Sequence, residues 1–243
     1  MAVRGLFPFV SLILVAGGLL LMFLITLAGA VDGAPVNKFY FLQANTGNIP
    51  GAPGVARWTY WNICRGGTGR NVCGSVHPAF PLDPASHRNF DTTQNVPQDF
   101  VRHHGTYFFL TRFMFAFMLI ALFFGVCALF TGLLALCTRI GSYLSGLLTM
   151  IAMFFQALNA AMMTAAYVKG RDNFRKNGQS AIIGKYAFGF EWAALACFFL
   201  STVLFCIGGA AREKTSSKRG FGGKRSRSTR SRSSFVRDKE YGS

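Results

Sequence analysis

A chain of 243 residues that is 51% apolar, contains 26 phenylalanines and holds only 14% charged residues is too poor in polar groups for an ordinary soluble domain. Its formal net charge of +16 does not reverse this, because the basic residues cluster outside the apolar runs. Composition therefore excludes a soluble globule and predicts a membrane protein.

Four apolar runs, at 6–31, 106–136, 140–168 and 187–209, reach the roughly 20 residues needed to cross about 30 Å of hydrocarbon at about 1.5 Å per residue. A spanning segment must satisfy its own backbone in lipid, and these runs lack the alternation of barrel strands, so each is expected as a helix. The first has a rival reading as a secretory signal, since Arg4 precedes it and Ala28-Gly29-Ala30 looks like a small-residue cleavage site. Its apolar core exceeds the roughly 7–15 residues of such signals, which favours a retained helix.

Residues 32–105 form the long polar segment between the first two spans. Aromatics and turn residues interleave from Asn37 to Ala44, from Ile49 to Pro53 and from Arg57 to Trp61, the pattern of short strands divided by turns. Within it lies a Trp-x2-Cys-x8-Cys signature, Trp61, Cys64 and Cys73. These cysteines are the only two in this segment, and a disulfide between them would contribute about 3 kcal/mol or less. Zinc is the rival, but it needs about four ligands, and His77 and His87 lack the usual paired spacing. A disulfide pinning a small sheet is favoured, and it places the loop outside the cytosol.

His77, His87, His103 and His104 accompany Asp83, Asp91 and Asp99, but none falls in a nucleophile, metal or phosphate-loop motif, so no enzyme, cofactor or metal is expected. Arg112 lies early in the second span and Glu191 early in the fourth. Two readings stand side by side: an intramembrane ion pair, or independent snorkelling of each to the interface. The third span carries small residues four apart, Ser142 and Gly146 and then Ala157, Ala161 and Ala165, which predicts a helix-packing face. Gln156 and Asn159 are placed to bond a neighbouring helix; a transport site there is the weaker reading. Cys127 and Cys197 read as packing residues. Cys137 and Cys206, near helix ends, suit palmitoylation and unmodified burial equally.

The segment 210–243 is basic, and residues 218–234 within it have almost no apolar content, so the tail is expected to be disordered. Its lysines and arginines place it in the cytosol, together with residues 1–5 and the turn 137–139. The link 169–186 is then extracellular, although Lys169, Arg171, Arg175, Lys176 and Lys185 oppose a single Asp172; the cysteines decide the matter. Arg-Ser alternation resembles nucleic-acid-binding segments. Beside a bilayer, however, Lys218, Arg219, Lys224, Arg225, Arg227, Arg230 and Arg232 favour anionic lipid, at roughly 1 kcal/mol each. Phosphorylation at Ser226, Ser228, Ser231 or Ser233 would add about −1.5 to −2 charges per site and weaken that attraction.

The loop resembles that of the fungal Sur-seven/PalI family, four-span plasma-membrane proteins of claudin-like plan. The likeness runs from Asn37 through Asn89-Phe90, by way of Phe39-Tyr40-Phe41-Leu42-Gln43-Ala44, Ile49-Pro50-Gly51-Ala52-Pro53 and Gly74 to Pro84. The Gly-Leu-Trp of claudins is Thr59-Tyr60-Trp61 here, so carry-over stops at Trp61, Cys64 and Cys73. The resemblance implies a membrane all-α four-helix bundle with a small extracellular antiparallel β-sheet. It further implies a non-enzymatic scaffold of eisosome patches, affecting membrane organisation, endocytosis and cell-wall integrity. Its expected partners are anionic phospholipids, sterol, eisosome components and further copies of the chain, and not nucleic acid. A channel or transporter is the alternative reading, and a cell-wall or stress sensor the third.

Overall fold

The computed structural model describes residues 3–67 and 69–221, with side chains except at 3–6, 135–137, 139 and 209–221. Lys224, Arg225, Arg227, Arg230 and Arg232, and the serines at 226, 228, 231 and 233, lie outside the described residues, as do the side chains of Cys137, Lys218 and Arg219.

Four helices are long and apolar enough to cross a membrane: α1 (Val3–Thr26), α3 (His104–Cys137), α4 (Arg139–Lys176) and α5 (Lys185–Phe221), with a short α2 (Gln98–Arg102) before the second. They pack mainly as the pairs α3–α4 and α1–α5. The α1–α3 crossing is close because Gly125 and Gly132 of α3 face Leu19 and Leu12 of α1; an added Cβ would meet those side chains at 2.8 and 2.7 Å.

Several helix ends differ from the hydropathy boundaries, each for a local reason. α1 stops at Thr26, because residues 27–31 fold back in tight turns and Gly29 takes φ +87° against Thr59, where a Cβ would lie 2.1 Å from the Thr59 hydroxyl. α4 continues to Lys176, past the apolar run, because Gly170, Asn173 and Phe174 are buried beneath the loop. α5 runs on to Phe221, since extending a helix that is already nucleated avoids a second nucleation cost.

The sheet is antiparallel, in the order β3-β2-β1-β4: β1 (Leu42–Asn45), β2 (Val55–Trp58), β3 (Ile63–Arg65) and β4 (Ala181–Ile183). Leu42 pairs with Trp58 on one side and with Ile183 on the other. The second loop thus supplies an edge strand that the sequence reading did not assign. Leu42, Ala44, Ala56, Trp58 and Ala181 are buried in the core cluster that continues into the bundle, joining Phe100 and Phe174. Residues 49–53, expected as extended, form turns, as their Pro and Gly content allows.

The small-residue row of α4 divides. Ser142 and Gly146 are buried against α5, with the Ser142 hydroxyl donating to the Phe205 carbonyl at 3.3 Å. Ala161 and Ala165 are exposed and Ala157 is half-buried, so these three do not form the bundle's packing face. A four-residue spacing drifts about 40° per step on a helix of 3.6 residues per turn, which winds the row off the contact. Ala152, Gln156, Ala160 and Met163 hold the buried face instead.

Candidate functional site

The residues of the sequence signature lie where sheet meets bundle. β2 ends in Trp58, whose side chain turns inward and is fully buried; its indole donates to Asn89 Oδ1 at 3.1 Å and its rings lie against Phe90 and Phe174. Trp61 lies in the turn that follows. Its indole N–H donates to the Thr26 carbonyl at the end of α1, and its ring meets Phe115 of α3 edge-on at 5.2 Å. One side chain thereby connects the loop to two spans.

Cys64 and Cys73 form the expected disulfide, with Cα atoms 4.2 Å apart. It closes the loop that follows β3 and fixes Asn71, whose amide donates to the Phe39 carbonyl at 2.7 Å. Replacing both cysteines by serine is expected to cost about 3 kcal/mol or less, read as a lower unfolding midpoint of the purified chain. An unchanged midpoint would show that β3 is held by other means.

Tyr60 reaches past the sheet into the bundle, where it meets a cluster of fully buried polar side chains. Its hydroxyl lies 3.0 Å from Glu191 Oε1 and 3.1 Å from Asn159 Oδ1. Glu191 Oε2 accepts from Gln156 Nε2 at 2.5 Å and from Asn159 Nδ2 at 2.9 Å. Burial, and then the Glu191 carboxyl beside it, push the Tyr60 phenol well above the ordinary tyrosine range, so it stays protonated. Phe41 and Phe115 enclose the ring at 4.6 and 5.5 Å. The cluster joins loop, α4 and α5, and every oxygen of the Glu191 carboxyl has a partner.

This geometry corrects the ion pair weighed for Arg112 and Glu191. Glu191 is bound by Tyr60, Gln156 and Asn159, whereas the Arg112 guanidinium sits 4.8 Å over the Phe108 ring and borders a cleft with His77, His87 and Arg88. A long basic side chain near a helix end turns toward the interface at lower cost than it enters the bundle. Gln156 and Asn159 do bond a neighbouring helix. Tyr60 is the member the sequence reading missed; its only signal was a tyrosine where claudins carry leucine.

A second polar group binds α2, α3 and α4 at the top of the bundle. Asp99 accepts from Tyr107 at 2.7 Å and from Asn173 at 2.6 Å, with His103 Nδ1 at 2.9 Å and Lys169 Nζ at 3.6 Å. Burial alone would raise this carboxyl, but the hydrogen bonds from Tyr107 and Asn173 and the Lys169 charge together hold it below the usual carboxylate range. A depressed folded-state value stabilises above the unfolded value and is lost as pH falls through the folded one. Asp83 acts oppositely, since burial raises it despite His104 and His87 nearby. Asp99→Asn is therefore expected to flatten the acid side of the stability profile; a profile that keeps the parent's slope contradicts the assignment.

Among the described residues no group of three His, Cys, Asp or Glu is placed to hold a metal. Cys206 is exposed on α5, and Cys127 and Cys197 are half-buried.

Four membrane-length helices beneath a disulfide-pinned, four-stranded antiparallel sheet define a claudin-like tetraspan membrane protein. The chain belongs to the SUR7/PalI family, whose model matches residues 7–204. It is 37% identical over 206 residues to the protein SUR7 of Candida albicans, covering 84% of this chain and 75% of that relative. It is 34% identical over 200 residues to the protein SUR7 of Saccharomyces cerevisiae, covering 82% of this chain and 65% of the relative. A further S. cerevisiae relative, named as an uncharacterized plasma membrane protein, is 29% identical over 82% of the chain and 67% of its own length.

Proposed function

We propose that the chain is a non-enzymatic scaffold of the fungal plasma membrane that assembles laterally in stable, eisosome-type patches. In this reading the sheet stands outside the cell, both termini are cytosolic, and the basic tail contacts anionic lipid of the inner leaflet. The observation that carries it is the closure of the Glu191 cluster. The Tyr60, Gln156, Asn159 and Glu191 side chains bond one another and tie loop to helices, which suits a structural core and disfavours a transport path through them.

Further features are compatible with this reading. A broad apolar surface, including Phe109, Phe113, Phe123, Phe130 and Phe154, faces outward from the spans and is available to lipid or to another copy. One relative is named for the plasma membrane, which agrees with the proposed location; a part in membrane organisation, endocytosis and cell-wall integrity belongs to the same proposal. Cys206, exposed on the cytosolic half of α5, is positioned for acylation, which would strengthen attachment to the inner leaflet.

A fluorescent full-length copy expressed at its native level in a fungal cell tests the reading. Immobile patches that recover slowly after bleaching are expected. Even, freely diffusing fluorescence over the whole surface would overturn the scaffold assignment while leaving the fold intact.

A further inference from the structure

Arg57 is a buried cation without an acidic partner. It projects from β2 on the face opposite Ala56 and Trp58, only 8% exposed, and Gly66 leaves it room, since a Cβ there would lie 2.8 Å from its Nε. Nε donates to Gln43 Oε1 at 2.7 Å, Nη1 donates to Asn71 Oδ1 at 3.0 Å, and the guanidinium lies 4.6 Å over the Tyr40 ring. These acceptors are neutral. Nη2 has no hydrogen-bond partner among the described residues, and no carboxylate among them pairs with the charge. A buried charge is costly unless compensated, so an anion brought to this guanidinium would be favoured.

The same guanidinium lines a cavity of about 420 Å³. Lys38 and Lys185 border it, both exposed and neither in an ion pair among the described residues, so three cations converge on a space with no acidic lining residue. The remaining wall is amphipathic: Ile182 and Tyr186 are 46% and 61% exposed, and Lys185 and Tyr186 open the membrane span of α5. The cavity therefore joins a cationic floor to an apolar rim at the level where lipid headgroups begin. The disulfide loop supplies Asn71, which positions the arginine.

We propose that this cavity binds a phosphate-bearing anion, with the phosphate on Arg57, Lys38 and Lys185, and that its source is the headgroup of an anionic lipid whose chains run down past Ile182 and Tyr186. Arg57 supplies free N–H donors from a preorganised fork, and the lysines add charge without fixed geometry. Assignment of that lipid to the outer leaflet rests on the orientation proposed above; binding itself does not.

The test uses the full chain in proteoliposomes containing a photoactivatable phosphatidylinositol, with labelled peptides mapped by mass spectrometry. The tail is left unchanged throughout, so only labelling within residues 182–186 is scored. Strong labelling there is expected, with little from a matched phosphatidylcholine probe. Lys38→Ala/Lys185→Ala is expected to weaken it about thirtyfold, and Lys38→Arg/Lys185→Arg to preserve it. Arg57→Gln should abolish it; because that variant disturbs a buried site, the surface lysine pair decides. Competition by unlabelled phosphatidylinositol but not by millimolar inorganic phosphate identifies the lipid as the source, and equal competition by phosphate identifies a free anion at the same site. Labelling that is equal for both probes, or unchanged in Lys38→Ala/Lys185→Ala, overturns the proposal. Even fluorescence in cells would sink the scaffold reading and leave this result standing.

Discussion

Glu191→Leu is expected to cost about 3 kcal/mol or more of stability, because it strands Tyr60, Gln156 and Asn159 without their shared acceptor in a buried site. An unsatisfied buried polar group costs about 1–3 kcal/mol, although alternative partners in a bilayer reduce the net figure. Glu191→Gln keeps the side-chain length and one acceptor oxygen, and it is expected to lose about 1 kcal/mol. The measurement is a denaturant titration of the detergent-purified chain, with surface delivery in cells as a second readout. Equal midpoints for parent and Glu191→Leu would mean that the cluster is not what joins α4 to α5. Reversing both Arg112 and Glu191 is not expected to rescue either single reversal, since the two groups have separate partners.

Trp58→Ala is expected to be comparably severe, at about 3–5 kcal/mol, the usual range for truncating a buried aromatic. Trp58 fills the space between β2, Phe90 and the upper end of α4 at Phe174, and it holds Asn89 by a hydrogen bond. Its loss should release the sheet before the spans separate. Limited proteolysis should then cut within residues 49–53 or 86–95 while the helices stay protected, and Trp58→Phe should restore much of the resistance. If cleavage in the two proteins proceeds at the same rate, the sheet is docked through other contacts, chiefly Trp61 on Thr26 and Phe115.

The spans were legible because membrane thickness imposes a length that no local sequence effect can hide, and the disulfide because only two cysteines fall in the long segment between the first two. What escaped the sequence depended on partners distant along the chain. β4 is three residues in the basic second loop, and only its pairing with β1 makes it a strand. Glu191 and Arg112 attract each other on paper, yet Tyr60, 131 residues from Glu191, takes the carboxyl first. Ala161 and Ala165 share a periodicity with Gly146, but the helix turns them away from the contact, while the glycines that let helices approach closely, Gly125 and Gly132, lie on α3. Arg57 reads in the sequence only as the start of a short extended run; its burial without an acid emerges only when Gln43 and Asn71 are brought beside it.

The proposed topology, on which both leaflet assignments rest, has the sheet standing outside the cell, and one labelling experiment addresses it. Gln94 is exposed in the loop between β3 and α2. A Gln94→Cys copy, treated on intact cells with a membrane-impermeant maleimide, is predicted to label without permeabilisation, above the background of the parent chain. Labelling that appears only after the cells are permeabilised would place the sheet in the cytosol and contradict the proposed orientation.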